Sequence, residues 1–320
     1  MASTVLILGA AGRIGQVLAA AFADAGFEVR AQSRKPLPPT LAAHPRVRAV
    51  RCDALDSAAI RAAAQGVDVV VNALNPPYTE WARQVPPLVD AAIAAAQVNG
   101  ALLMLPGNVY NFGSELPPLL TPQTPEVGDH AKAHIRIAAE ARMAATPGLD
   151  SVVIRAGDFF GGPGRGSWFD LALTSRLKSG RFIYPGATNL AHAWAYLPDL
   201  AQVFVRVAQR RAQLKGHQRL HFAGHTLSGD EMREALQRLT GRTLRPGSLP
   251  WGVMRLASPF VPMWREILAM RYLWQRPHRL DDSALRALLG ELPQTPLPQA
   301  LAAALAELDV LPAGTPLAHA

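Results

Sequence analysis

The sequence predicts an α/β fold: a doubly wound parallel sheet with a smaller, mostly helical C-terminal region. Three observations carry this. Short β-branched and aliphatic runs alternate with helix-period segments through the first half, the pattern of βαβ units. A glycine string separates the first run from the first helical segment. The alternation then fails after Ala156. In order, Thr4–Leu8 is a buried strand ending in glycines, and Ile14–Ala25 is an amphipathic helix that Gly26 stops. Phe27–Ala31 and Val47–Cys52 are strands, Ser57–Gln65 a helix and Val67–Asn72 a strand. A Pro-interrupted segment leads to a helix at Pro87–Ala96, then a strand at Ala101–Leu105. The loop Pro106–Gly128 precedes a helix at Asp129–Ala145 and a strand at Ser151–Arg155. Beyond the glycine-rich stretch Gly157–Gly166, helices are expected at Trp168–Lys178 and Pro198–Arg211, with a short strand at Leu220–Ala223. Ser228 and Glu231 form a capping box that opens a helix ending at Gly241. Met263, Ile267, Met270 and Trp274 share one helical face.

Composition narrows the class. The 320 residues are 49% hydrophobic and 18% charged, which excludes a disordered chain. One cysteine, Cys52, excludes an internal disulfide and a multi-cysteine zinc site, and fits a reducing compartment. The early apolar run is broken by glycines, Arg13 and Asp24, so neither a signal peptide nor a membrane span is expected; a cytoplasmic protein is. The net charge of +8 is unevenly placed: residues 242–279 hold 7 basic groups and 1 acidic one. Residues 251–279 interleave Trp251, Trp264 and Trp274 with five arginines. Core tryptophans with arginines solvated or paired to Asp281, Asp282 and Glu291 account for this segment, and a substrate pocket or homodimer interface is the competing reading. No nucleic-acid motif accompanies the charge, so neither nucleic acid nor a membrane is expected as a partner.

The glycine string is Gly9-Ala-Ala11-Gly12-Arg13-Ile14-Gly15. Between a strand and a helix, such glycines permit a tight turn and a close backbone approach to a diphosphate, which the helix N-terminus attracts. The end of the second strand separates the two nicotinamide cofactors. An acidic residue there would hold a ribose 2′-hydroxyl, but this chain has Gln32-Ser33-Arg34-Lys35. A hydroxyl and two cations suit a 2′-phosphate, so NADP(H) is expected over NAD(H).

The GxxGxxG spacing resembles the short-chain dehydrogenase/reductase superfamily, in its extended, atypical, NAD(P)-dependent epimerase/dehydratase-like branches. The resemblance covers most of residues 1–225 and implies a Rossmann-type domain over 1–165, rejoined by segments near 190–225. Residues 166–320 are then a substrate-binding region for a small molecule. It also implies cofactor contacts from Asp53 and from Asn72, Ala73 and Asn75, and a loop facing the nicotinamide and substrate at Arg155-Ala-Gly157 onward, with Phe159 and Phe160 flanking the ring or the substrate. The superfamily's proton shuttle is a Tyr-x-x-x-Lys pair with a serine or threonine. Lys132 matches the lysine, but Gly128 stands at the tyrosine position, and Gly107-Asn108-Val109-Tyr110 lacks the serine. Either Tyr110 donates the proton with Lys132 on the ribose and Asn108 polarising the substrate, or the fold senses the cofactor without chemistry, as in NmrA-like regulators. The expected reaction is hydride exchange with a small carbonyl or alcohol, with a sugar-type epimerase or dehydratase as the alternative. His130 and His134 have a chelating spacing but no third ligand, so no metal is expected. Asp199, near the start of its helix, is expected to be a cap.

Overall fold

The computed structural model describes residues 2–311. Its centre is a seven-stranded sheet of β1 (Thr4–Leu8), β2 (Glu28–Ser33), β3 (Val47–Arg51), β4 (Val69–Asn72), β5 (Leu102–Gly107), β6 (Ser151–Ala156) and β7 (His217–Phe222). The order is β7-β6-β5-β4-β1-β2-β3 and every pairing is parallel. This is a Rossmann-type doubly wound sheet, with the order reversing between β1 and β4, where such sheets open a crevice at their carboxyl ends. β7, late in the chain, is the strand that returns.

Because side chains alternate along each strand, the sheet builds two cores. Leu6, Leu8, Val70, Leu103 and Val153 face the helices Trp81–Gln97 and Ala131–Ala145. Val5, Ile7, Val69, Met104 and Ile154 face Arg13–Asp24 and Leu197–Gln209, which contribute Phe22 and Phe204. The first of these helices starts at Trp81, before the expected Pro87, because Pro86 and Pro87 sit in its second turn. There they disturb less than they would deeper in the helix.

Outside the sheet the expectations hold less well. Trp168–Lys178 is not one helix but a π-turn at Phe169–Leu173 and a 3-10 turn at Leu177–Ser179. Asp158–Phe160 and Ala191–Tyr196 are strands of a separate three-stranded sheet, completed by His225–Ser228. The capping box at Ser228 and Glu231 forms, and Gly241 ends that helix with φ 64. The face from Met263 to Trp274 is broken: one helix covers Pro262–Leu268, and a 3-10 turn covers Arg271–Trp274. Asp199 does not cap its helix; its carboxylate accepts from Thr295 N (2.8 Å) and Oγ1 (2.7 Å), tying the C-terminal segment down.

Two buried histidines make the fold acid-sensitive. His221 donates Nδ1–H to Leu120 O at 3.0 Å, and burial pushes its pKa down to about 4. Burial, then neighbouring His192, pushes His278 down to about 3. The unfolded chain takes up these protons near pH 6.5, whereas the folded chain refuses them until far lower pH. Stability is therefore fully present above about pH 6.5 and falls toward pH 4 and below, by about 1.4 kcal/mol per pH unit for each histidine. Thermal melts should show a decreasing midpoint from pH 6.5 to 4.5, with a shallower decrease in His221→Gln. A midpoint flat across that range would refute the assignment.

Candidate functional site

The site begins where β1 turns into the helix Arg13–Asp24. Gly9 has φ 82, and a Cβ there would lie 3.1 Å from Ala73 O. Gly12 N donates to Gly9 O at 2.9 Å, closing the turn. A Cβ on Gly15 would fall 2.2 Å from Gly9 O, so only glycine lets the helix seat against the turn. No side chain caps this helix. The backbone of Ala11, Gly12, Arg13, Ile14 and Gly15 thus forms a cradle of the kind a diphosphate occupies. The Arg13 side chain takes no part in it. Its guanidinium pairs with Asp170 and donates to Gly161 O at 2.7 Å and 3.2 Å, which pins the Gly157–Gly166 loop to the turn. Asp170 also accepts from Gly166 N, Ser167 N and Ser167 Oγ.

At the end of β2, Gln32 is buried and fully used. Its Oε1 accepts from Gly9 N at 2.9 Å and its Nε2 donates to Cys52 O at 2.7 Å. Ser33 Oγ accepts from Lys35 N (3.1 Å). Arg34 reaches out, its side chain 73% exposed and 3.8 Å from Asp53, a separation at which a solvated pair is weak. Lys35 is exposed beside it. Asp53 accepts from Leu55 N, and Asn72 Oδ1 accepts from Leu74 N at 3.3 Å, shaping the β4 end on which Ala73 is buried and Asn75 exposed. The parts expected to hold a dinucleotide therefore share the carboxyl edge of the sheet, and the glycine cradle fits its diphosphate.

The expected catalytic residues are placed differently from one another. Lys132 is buried in the first turn of Ala131–Ala145, a helix capped by His130 Nδ1 accepting from Ala133 N. Its ammonium pairs with Glu266, donates to Glu266 O at 3.3 Å, and stands 5.0 Å from the Tyr78 ring centroid. Tyr78 and Tyr110 share a hydroxyl–hydroxyl hydrogen bond of 2.8 Å. Tyr110 thus meets the lysine through Tyr78. Asn108 turns its side-chain oxygen back onto Tyr110 N (3.1 Å), and its carbonyl accepts from Arg155. Gly128 cannot simply regain a tyrosine: a Cβ there would lie 2.4 Å from Ala133 Cβ.

Tyr78 and Glu266 escaped the sequence reading. Tyr78 lies in the Pro-interrupted stretch after β4, and Glu266 is the lone acid of a basic segment. The available signal was a tyrosine just beyond a parallel strand's carboxyl end, where ligands bind. Around them, His130 Nε2 meets Tyr272 OH at 3.0 Å, and His192 Nε2 donates to Asp158 Oδ2 at 2.8 Å while stacking on Trp274. Burial raises the Tyr110 pKa well above the ordinary phenol value, and Tyr78 and Asp158 raise it further. Burial also raises Tyr78, opposed by its bond to Tyr110. Both phenols keep their protons at neutral pH, so they donate hydrogen bonds and are poor bases. Phe160, expected beside a ligand, is instead core, packed on Phe169 and Tyr196.

The sequence matches the NAD(P)H-binding family over residues 9–172. Among curated proteins it has no match. In fold it is similar to the enzyme WbmH of Bordetella bronchiseptica in complex with NAD+ (TM-score 0.76, 18% identity, 97% of this chain and 99% of that one). It is also similar to UDP-glucuronic acid 4-epimerase from Bacillus cereus with UDP-glucuronic acid and NAD (TM-score 0.74, 16% identity, 96% and 99%). A third likeness is to UDP-glucose 4-epimerase from Bifidobacterium longum with NAD+ and UDP (TM-score 0.73, 16% identity, 96% and 98%).

Proposed function

The chain belongs to the NAD(P)H-binding family, and from that premise we propose that it is an NADP(H)-linked enzyme of the epimerase/dehydratase-like type, exchanging hydride with a carbonyl or secondary alcohol of a small molecule. The observation that carries the cofactor choice is the β2 end: Gln32 is consumed by the fold, while Arg34 and Lys35 extend into solvent. The nicotinamide supplies the hydride when bound. The Tyr78–Tyr110 pair holds a proton that an alkoxide formed beside it would take, Lys132 sits behind Tyr78 as the fixed cation, and residues beyond 165 cover the substrate side.

Two readings share this chemistry. The fold likeness to sugar-nucleotide 4-epimerases favours transient oxidation with the cofactor returned unchanged. Net reduction needs only a proton donor beside the carbonyl, and the hydrogen-bonded Tyr78–Tyr110 pair supplies one. Purified protein incubated with NADPH and a panel of ketones, and separately with NADP+ and a panel of sugar nucleotides, separates them: loss of NADPH absorbance marks reduction, and an epimer formed with NADP+ and no net NADPH accumulation marks the other. Tyr110→Phe and Tyr78→Phe are each expected to lower turnover by about 10²-fold or more, the ordinary contribution of a positioned acid. Tight NADPH binding without turnover on any substrate, unchanged by either substitution, would make the protein a cofactor sensor and end the enzymatic reading.

The cofactor choice has its own test. Arg34→Asp with Lys35→Ala is expected to weaken NADPH binding at least tenfold, because two charge-assisted contacts to a phosphate are lost, and to leave NADH binding nearly unchanged. Equal effects on the two cofactors, measured by titration, would overturn the 2′-phosphate assignment.

A further inference from the structure

The hairpin of Trp251–Ala257 and Pro262–Leu268 carries a surface that hydride transfer does not use. Its two short helices pack together, and the second lies against the Tyr78–Glu80 turn. The hairpin also bares apolar side chains: Leu256 is 82% exposed and Phe260 86%, with Val253 at 59% and Met263 at 38%. Exposed apolar side chains occurring singly need no explanation, but a group this close in the chain does. Along the hairpin itself the exposed charge has one sign, and Glu80, on the turn it packs against, is paired with Arg83. Arg255, Arg265 and Arg271 are exposed on or beside the hairpin, and the one acid of residues 242–279, Glu266, is turned inward onto Lys132. Trp251 is anchored by donating Nε1 to Pro185 O at 2.8 Å, with the Arg271 guanidinium 5.3 Å from its ring.

An apolar tip set among arginines complements an anionic lipid surface: the side chains enter the boundary between headgroups and acyl chains while the guanidinium groups meet lipid phosphates. A second copy on the same face would bring arginines against arginines. We propose that the 251–268 hairpin docks this protein reversibly on an anionic membrane surface, with Leu256 and Phe260 inserted. This departs from the sequence expectation of no membrane partner, because charge counts show neither the inward turn of Glu266 nor the outward turn of Leu256 and Phe260. It stands apart from the proposed reaction.

Co-sedimentation of the full chain with phosphatidylcholine vesicles, with and without phosphatidylglycerol, tests it. Binding at low salt is expected on the anionic vesicles and about tenfold weaker on neutral ones. Leu256→Ser with Phe260→Ser should reduce binding about tenfold or more, since most of the inserted apolar surface is removed. Arg255→Glu with Arg265→Glu should abolish the preference for phosphatidylglycerol. Because all four side chains are exposed, circular dichroism and melting should stay unchanged. The proposal falls if the wild-type chain does not bind anionic vesicles at low salt, or if the serine pair binds like wild type. It also falls if those serines instead abolish a concentration-dependent dimer that ignores vesicles, which would assign the face to a second copy.

Discussion

Gly15→Ala is expected to weaken NADPH binding by about 100-fold or more, close to 2.7 kcal/mol. The added Cβ would sit 2.2 Å from Gly9 O and 2.9 Å from Ala10 Cα. Both are backbone atoms of the turn itself, so no flexible side chain can give way. Relief requires the helix Arg13–Asp24 to shift away from β1, which moves the first-turn N–H groups off the position where they would meet a diphosphate. Gly12→Ala is the control, because its Cβ would lie 3.2 Å from Gly9 O at an ordinary φ of −75. That contact is tight but relievable by a small shift, so the loss should be much smaller. Fluorescence titration with NADPH measures both, and circular dichroism establishes that each variant is folded. Wild-type affinity in a folded Gly15→Ala protein would remove the turn from the cofactor site.

Arg155→Met is expected to cost about 3–5 kcal/mol of stability, as breaking a buried ion pair from one side does. Arg155 is 1% exposed, and its Nη2 donates to Glu126 Oε1 and Glu140 Oε2, each at 2.7 Å. Asn111 Nδ2 donates to the same two carboxylates, and Arg219 lies 3.3 Å from Glu126. Without Arg155, Glu140 keeps its burial and loses its closest cation. Burial and then Glu140 already raise the pKa of Glu126, so the variant should relieve its strain by taking up protons. The deficit is therefore larger at pH 8 than at pH 5.5. Adding Glu140→Gln should restore part of the loss, a coupling that a double-mutant cycle reads directly. Denaturant unfolding that shows additive effects, or less than 1 kcal/mol for Arg155→Met, would contradict the assigned role. Because Arg155 also donates to Asn108 O, turnover should suffer as the β5 end loosens.

The centre of the sheet was legible because β1, β4 and β5 are written as near-continuous apolar runs. Thr4–Leu8 matches its strand residue for residue, and Ser151–Arg155 misses only Ala156. Likewise, the glycine spacing of the cofactor turn follows from backbone sterics that tolerate few alternatives. Beyond Ala156, structure is decided by contacts far apart in sequence, and local patterns mislead. Met263, Ile267, Met270 and Trp274 have helical spacing, yet Trp274 is buried among Trp168, Tyr184 and His192 while Met263 faces outward. Helical spacing in a chain that turns at Ala269 and Met270 describes no single face. The candidate site was legible by halves. Lys132 and Tyr110 were singled out, but the link between them is Tyr78, contributed by a proline-rich turn, and the lysine's partner is Glu266, 134 residues away.

The position of Gln32 bears on how cofactor choice can evolve. One carboxamide accepts from the glycine turn and donates to the β3 end in the same stroke. A carboxylate at this position could still accept from Gly9 N, but it has no hydrogen to give Cys52 O and would set two acceptors against each other in a buried place. An acidic residue at position 32 would therefore lose the buried bond to Cys52 O. A lineage changing its cofactor would first have to alter positions 34 and 35, whose side chains are exposed to solvent.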